Sequence, residues 1–295
     1  MKTALIVNPA SGRGKALSLL PRVVAWCEKH KVEFKLLATS GPGDATRLAR
    51  TARFDGCERI VVLGGDGTIN ETGQAIFNTN VTLGVLPGGS GNDFIKMISR
   101  SGKLDDHLKT AFFGKPHKID VGLANGRPFL NATGIGFDAQ VAAEAARIKW
   151  LSGKWVYFLA VLKVLKNFSS YQFDVEIDQM KSNQKATLIC VGNGKSTGGG
   201  FFLTPQAKFD DELLDICIIE EIPKIKIFSY LPRALNGTHV RLPGVRIYRS
   251  RKIVIRSSEK FPVHIDGEII SEPLDKMEIT LDRRKLNVAI GDQAP

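Results

Sequence analysis

Arg59-Ile60-Val61-Val62-Leu63, followed by Gly64-Gly65-Asp66-Gly67-Thr68-Ile69-Asn70-Glu71, decides the fold. The first stretch is a short, mostly apolar run and reads as a buried parallel strand. Residues 72–77 continue the second stretch as a helix. Three glycines in four positions let the backbone turn sharply and come close to a ligand. Main-chain N–H groups at such a strand-to-helix turn form a site for phosphate. Asp66 would repel that phosphate, so its place makes sense with a divalent cation between the two. By itself, Gly-Gly-Asp-Gly reads equally well as a tight turn with a surface aspartate. The full octamer favours a nucleotide phosphate site.

Toward the N-terminus, Ala4-Leu5-Ile6-Val7 is another buried strand, ended by the loop Asn8-Pro9-Ala10-Ser11-Gly12-Arg13-Gly14-Lys15. This loop departs from the P-loop spacing and either offers N–H groups to a phosphate or simply turns the chain. Residues 15–30 read as a helix with Leu17, Leu20, Val24 and Cys27 on one face. A strand is expected over 32–38, then a helix near 45–52. Beyond the octamer, 81–86 reads as a strand ending in Pro87-Gly88-Gly89-Ser90-Gly91-Asn92-Asp93-Phe94. In an open parallel sheet, loops at the carboxyl ends of strands converge, so Asp66 and Asp93 can face one metal–nucleotide site. The alternation predicts a doubly wound, Rossmann-like α/β domain.

After about residue 116 the pattern changes. Residues 118–123 and 128–133 read as strands around Asn125-Gly126, a strong hairpin signal. Residues 131–138 then open a helix. Residues 155–165 form an apolar helix shorter than the ~20 residues that span a bilayer. From 171 onward, short strands separated by turns predict an antiparallel sandwich or barrel, interrupted by one helix near 223–235.

Composition sets the remaining bounds. The chain of 295 residues is long enough for two domains, and 43% hydrophobic with 24% charged residues is ordinary for a globular protein. A net charge of +11 calls for an anionic partner such as a nucleotide, a lipid surface or nucleic acid. Cys27, Cys57, Cys190 and Cys217 are scattered without zinc spacing, which predicts buried thiols in a reducing compartment. The N-terminal apolar run is too short for a signal peptide, so a cytosolic location is expected.

The motifs together resemble the diacylglycerol kinase catalytic family, which includes sphingosine and ceramide kinases, and within it the bacterial soluble lipid kinases. The likeness rests on Asn8-Pro9 with Ser11-Gly12, Thr39 with Gly43-Asp44-Ala45, the octamer, and 87–94. It continues through 131–139, Gly198-Gly199-Gly200, Pro205 with Ala207, Asp210-Asp211 with Leu213-Leu214-Asp215, and Asp266-Gly267-Glu268. The resemblance implies ATP-dependent phosphorylation of a lipid hydroxyl in a cleft between an α/β domain (1–118) and a C-terminal antiparallel β-sandwich domain (119–285). The strand near 286–290 is one that such proteins often return to the first domain.

The resemblance also implies roles. Asn8, Thr39, Gly65, Asp66, Gly67, Thr68, Ile69, Asn70, Glu71 and Ser90 would contact ATP. Asp66, Asp93 and Asp120 would bind the catalytic magnesium, partly through water, and Glu268 would be the general base. Lys208 and Leu213 (carbonyls) and Asp211 (carboxylate) would hold a structural magnesium. Glu212 replaces the usual glycine of that motif and strains the turn if φ is positive there. Ser90 stands where threonine is frequent and keeps the hydroxyl. Read unaided, Asp266-Gly267 is a common hairpin dipeptide, so the role of Glu268 comes from the resemblance.

Two features suit a lipid and an anionic membrane surface. Trp155, Tyr157, Phe158, Leu159 and Leu162 can line an acyl-chain pocket or pack a core. Arg241, Arg246, Arg249, Arg251 and Lys252 can meet headgroups at ~1 kcal/mol each, or form a solvated face. The expected partners are ATP, a lipid and transiently a membrane, without nucleic acid; the lipid's identity and any homodimer stay open. NAD kinase, which shares Gly-Gly-Asp-Gly-Thr, and a silent nucleotide- or lipid-binding regulator are the alternatives.

Overall fold

The computed structural model describes residues 1–99, 102–148 and 154–291. The chain forms two units, Met1–Asp120 with the segment from Arg283 onward, and Val121–Asp282.

In the first unit the apolar runs become strands β1 (Thr3–Val7), β2 (Lys35–Ala38), β3 (Arg59–Gly64) and β4 (Thr82–Pro87). Helices α1 (Lys15–Lys29), α2 (Asp44–Phe54) and α3 (Asp66–Ile76) connect them. After β4 come α4 (Asp93–Ile98), α5 (Leu104–Phe113) and β5 (Lys115–Ile119). The sheet order is β2-β1-β3-β4, then Leu286–Ile290, then β5. β1 to β4 are mutually parallel. Leu286–Ile290 runs parallel to β4 and antiparallel to β5. Every residue of β1 and β3 is buried, as strands covered on both faces require. The strand order reverses between β1 and β3, which makes their carboxyl ends a topological switch point.

Two expectations shift here. β2 starts at Lys35 rather than at 32, because Val32 donates its N–H to Cys27 at 2.9 Å to close α1 and packs, with Phe34, against the core. Residues 118–123 are not one strand. Ile119 ends β5, and the next strand belongs to the other unit; Asp120 between them is fully buried and ion-paired with Lys285.

The second unit opens with β6 (Gly122–Ala124) and β7 (Arg127–Phe129), the hairpin expected around Asn125-Gly126. Both turn residues have positive φ, 47° and 81°, as a type I′ turn requires. β8 (Ala132–Gly136) is a strand where a helix start was expected; α6 (Phe137–Arg147) begins only after Gly136, whose φ of 81° ends the extended run. Then follow α7 (Lys154–Asn167), β9 (Tyr171–Ile177), β10 (Met180–Gly192), β11 (Leu214–Glu220) and α8 (Lys224–Ala234). The unit ends with β12 (Val245–Ser250), β13 (Lys252–Phe261), β14 (Val263–Ile265), β15 (Glu268–Ile269) and β16 (Leu274–Leu281).

β6 to β16 form one eleven-stranded sheet among the described residues, antiparallel at every pairing. β10 is its longest strand, and period-two alternation sorts its side chains between two cores. Ile189 and Val191 join Phe173, Ile216, Ile255 and Met277 in a core made by strands. Leu188 and Cys190 join Phe137, Val161 and Tyr230 in a second core, under α6, α7 and α8. The sequence predicted these helices one by one but not that they pack together as a layer on the sheet.

Candidate functional site

The first unit gathers three glycine-containing loops, after β1, β3 and β4. Gly12 has φ of 58°, and a Cβ there would stand 2.5 Å from the Gly88 carbonyl oxygen. A Cβ on Gly89 would stand 2.5 Å from the Gly65 Cα. The loops are therefore packed backbone to backbone, a closeness that side chains would forbid. The Asn8 amide ties the first loop to the second by donating to Thr68 Oγ1 at 2.9 Å.

Asp66 is the first residue of α3, and its Oδ1 accepts the Phe94 N–H of the third loop at 2.9 Å. Burial, and next the Asp93 carboxylate, push the Asp66 carboxyl above its ordinary range, against the pull of the Phe94 and Asp93 N–H groups and the Lys96 charge. Asp93 is buried at the start of α4, with Lys96 at 2.8 Å. Two mutually repelling carboxylates, one of them held by main-chain donors, fit a divalent cation, because a positive charge would relieve both burial and repulsion.

The other expected nucleotide residues differ in their surroundings. Asn70 is buried, and neither atom of its side-chain amide has a hydrogen-bond partner. Buried amides are rarely left so, and a ligand group would satisfy it. Glu71 behaves differently: its carboxylate accepts the N–H groups of Gly43 at 2.9 Å and Ala45 at 3.1 Å, closing the start of α2. Thr68 and Ile69 are buried, Gly65, Gly67 and Thr39 are half-buried, and Ser90 is exposed. Asp120 stands apart in its partner, Lys285.

In the second unit, Asp266 and Gly267 form the turn between β14 and β15, with φ of 48° and 83°. The hairpin reading of Asp-Gly is therefore right in form. Glu268 begins β15 and is half-exposed, paired with Arg127. Two anchors fix this turn. The Asp266 carboxylate accepts the N–H groups of Leu130 at 2.7 Å, Asn131 at 2.9 Å and Ala132 at 2.8 Å. The buried His264 ring accepts the Gly267 N–H on Nδ1 at 3.3 Å and meets Asp138 Oδ2 through Nε2 at 2.9 Å.

Asp138 also lines an apolar cavity under α6, α7 and α8, walled by Phe137, Tyr157, Val161, Phe201 and Tyr230. The cavity holds about 70 Å³, well below the ~300–1,000 Å³ usual for ligand pockets, so a ligand would have to part its walls. Of the five α7 residues expected to line an acyl pocket, Tyr157 does so; Trp155, Phe158 and Leu162 face solvent.

In the Asp210–Asp215 loop the carboxylate expected to meet a cation has partners within the chain. Asp211 Oδ1 accepts the Leu213 N–H at 3.2 Å and its Oδ2 accepts Arg249, while Lys208 is exposed. Glu212 has φ of 60°, so the glycine-to-glutamate departure does place a bulky residue in left-handed backbone. Arg251 bonds its carbonyl at 3.1 Å and also its carboxylate. Asp215 is buried with Arg249 Nε at 3.6 Å, and burial pushes its carboxyl up to about 6. Two arginines thus place positive charge beside these carboxylates. The same pairs correct the headgroup reading: Arg246 meets Glu220 at 3.0 Å and Lys252 meets Glu278 at 2.8 Å, so most of that basic strand is neutralised within the chain.

Comparison with known proteins gives the family. Residues 2–124 match the model of the diacylglycerol kinase catalytic domain, and 131–285 match the YegS C-terminal NAD kinase beta sandwich-like domain. The diacylglycerol kinase of Bacillus subtilis is 30% identical over 91% of this chain and 90% of its own. The chain belongs to the diacylglycerol kinase family. The Staphylococcus carnosus diacylglycerol kinase is 28% identical over 90% of this chain and 88% of its own. A Bacillus anthracis crystal structure ascribed to a diacylglycerol kinase superposes with a TM-score of 0.81 at 26% identity, over 100% of this chain and 98% of its own. An ATP-bound NAD kinase of Archaeoglobus fulgidus, 14% identical with a TM-score of 0.57 over 100% of this chain and 95% of its own, shares the fold.

Within this family member, sequence reasoning missed Asp138, His264 and Arg127, and it gave Asp266 no structural task. Asp138 and His264 are 126 positions apart, and only the pairing of β8 with β14 brings them together.

Proposed function

We propose that this chain is an ATP-dependent lipid kinase that transfers the γ-phosphate to the hydroxyl of a diacylglycerol or a related lipid. The carrying observation is the Asp66–Asp93 carboxylate pair, set among main-chain N–H groups of the glycine loops. Other main-chain N–H groups of the glycine turns would hold phosphate oxygens, and the unpartnered Asn70 amide offers a further contact to the nucleotide. Asp66 and Asp93 would hold magnesium, which when bound neutralises the phosphates and the charge that grows during transfer.

Glu268 is the proposed base that takes the lipid hydroxyl proton. Its turn is rigid because Asp266 is held by three N–H groups and Gly267 by the His264 ring. The apolar cavity of the second unit marks the proposed acyl-chain site, which the lipid would widen by parting α7 and α8, and the polar wall at Asp138 offers a place for the glycerol end. Among the described residues no helix is long and apolar enough to cross a membrane, so lipid would be met from the bilayer surface by peripheral association.

The testing experiment supplies labelled ATP and magnesium with diacylglycerol, monoacylglycerol, sphingosine, ceramide or phosphatidylglycerol in mixed micelles, with NAD as a control. Label in a lipid supports the reading; label in NAD alone replaces it with NAD kinase. Nucleotide binding without transfer would favour a silent regulator.

A further inference from the structure

The basic strand is neutralised by its own partners, so a membrane-facing surface has to be sought elsewhere. The second unit exposes large apolar side chains on two helices. On α7, Trp155 is 67% exposed, Phe158 40% and Leu162 39%. On α8, Ile225 is 75% exposed and Phe228 39%. Their spacings, i, i+3, i+7 and i, i+3, put each set on one stripe of its helix. Opposite those stripes, Tyr157 and Val161 of α7 and Ile227 and Tyr230 of α8 line the apolar cavity. Each helix is therefore apolar on two faces, one turned to the cavity and one to solvent.

A helix apolar on its solvent face is stable in water only at a cost, and such a face marks an interaction site. The two helices are neighbours, since Lys224 Nζ of α8 donates to the Lys166 carbonyl of α7 at 3.4 Å. Charge indicates what covers the face. Lys163 of α7 is taken by Glu144 at 2.9 Å, which leaves Lys166 of α7 and Lys224, Lys226 and Arg233 of α8 as the cations of this surface, and neither helix contains an acidic residue. Aromatic and aliphatic side chains flanked by cations suit the interface of an anionic bilayer, where rings sit at headgroup depth and lysines reach lipid phosphates.

We propose that the solvent faces of α7 and α8 are the surface by which this protein docks on anionic membranes. Docking lays Trp155, Phe158, Leu162, Ile225 and Phe228 into the headgroup boundary. It brings the two helices that wall the cavity to the depth of the acyl chains. This rests on the lipid kinase reading for its purpose, but not for its test.

The test compares the full chain with the double variant Phe158→Ser/Ile225→Ser, both exposed and outside the cavity wall. Binding is read by sedimentation with vesicles of phosphatidylglycerol and phosphatidylcholine, and by light scattering at rising salt. Wild type should bind the anionic vesicles and release as salt screens the lysines. The double variant should bind at least tenfold more weakly with an unchanged melting temperature. On a short-chain, water-soluble diacylglycerol its turnover should equal wild type, while on vesicles its KM should rise about tenfold at constant kcat. Equal vesicle binding by the two proteins, or binding indifferent to phosphatidylglycerol, overturns the proposal. So does a wild-type dimer that the double variant turns into a monomer, which would make a second copy the occupant. A wild type that binds vesicles yet phosphorylates neither form of the lipid leaves the docking surface standing and removes the kinase reading.

Discussion

His264 Nε2 stands 2.9 Å from Asp138 Oδ2, and the ring's other nitrogen receives the Gly267 N–H at 3.3 Å. Gly267 donates to Nδ1, so Nδ1 is unprotonated and Nε2 carries the proton toward Asp138. The carboxylate thereby fixes the imidazole, and the imidazole fixes the turn that presents Glu268. Gly134 makes this possible, because a Cβ there would overlap both Asp138 and His264.

Asp138→Ala should therefore loosen the turn from a distance. The expected outcome is a roughly tenfold fall in kcat with the KM for ATP unchanged. The lost partner of a buried donor should lower stability by about 1–3 kcal/mol. Steady-state kinetics at saturating lipid, with a melting curve, checks both; an unchanged kcat would limit the pair to a structural role.

Glu268→Gln keeps shape and loses basicity, so kcat should fall ~10²–10⁴-fold. Stability should hardly change, because the Arg127–Glu268 pair is more than a third exposed and such pairs contribute little. Asp266→Ala is the contrast. It leaves three main-chain N–H groups without their acceptor and should lower stability by at least ~2 kcal/mol. Denaturant titration of the two variants checks the separation, and an early melt for Glu268→Gln would contradict it.

The doubly wound unit was legible because β1, β3 and β4 are apolar runs each ending in glycine-bearing loops, and periodicity with punctuation suffices there. The first half of β10 was not legible. Residues 181–185 are polar, and their pairing with β9 supplies the order that side-chain pattern does not announce. The Asp66–Asp93 relationship could be read from two motifs on successive strands. The fate of the 210–215 motif could not, because Arg249 and Arg251 reach it from β12 and the residue after it, 38 and 39 positions along the chain. Sequence likewise counted those arginines as surface charge, whereas pairing cancels them.

That arrangement predicts stability independent of magnesium at the 210–215 loop. Arg249→Ala would strip the buried Asp215 of its nearby cation and should destabilise by about 1–3 kcal/mol, a range reduced because the arginine is partly exposed. Its melting temperature should stay below wild type at every magnesium concentration. Full recovery by magnesium would mean that the loop is a metal site after all.

Acid should also weaken the fold through His239, which burial holds below the ordinary histidine range. The unfolded chain takes up a proton near pH ~6.5 that the buried ring refuses, so this contribution is present above that pH and is lost as pH falls through the depressed folded value. His239→Gln should be less stable than wild type at neutral pH, and the gap between them should narrow in acid. Paired melting curves from pH 7.5 to 5.5 read the difference, and a constant gap would exclude the histidine as its source.

The most direct test of the central claim is transfer of labelled phosphate from ATP to diacylglycerol by purified wild type and by Asp66→Asn. Asparagine keeps an oxygen for the Phe94 N–H and removes a charge that burial and Asp93 disfavour, so the variant should melt as wild type does. The account predicts labelled phosphatidic acid from wild type with magnesium, and none above background from Asp66→Asn. Near wild-type labelling by a folded Asp66→Asn protein would contradict it.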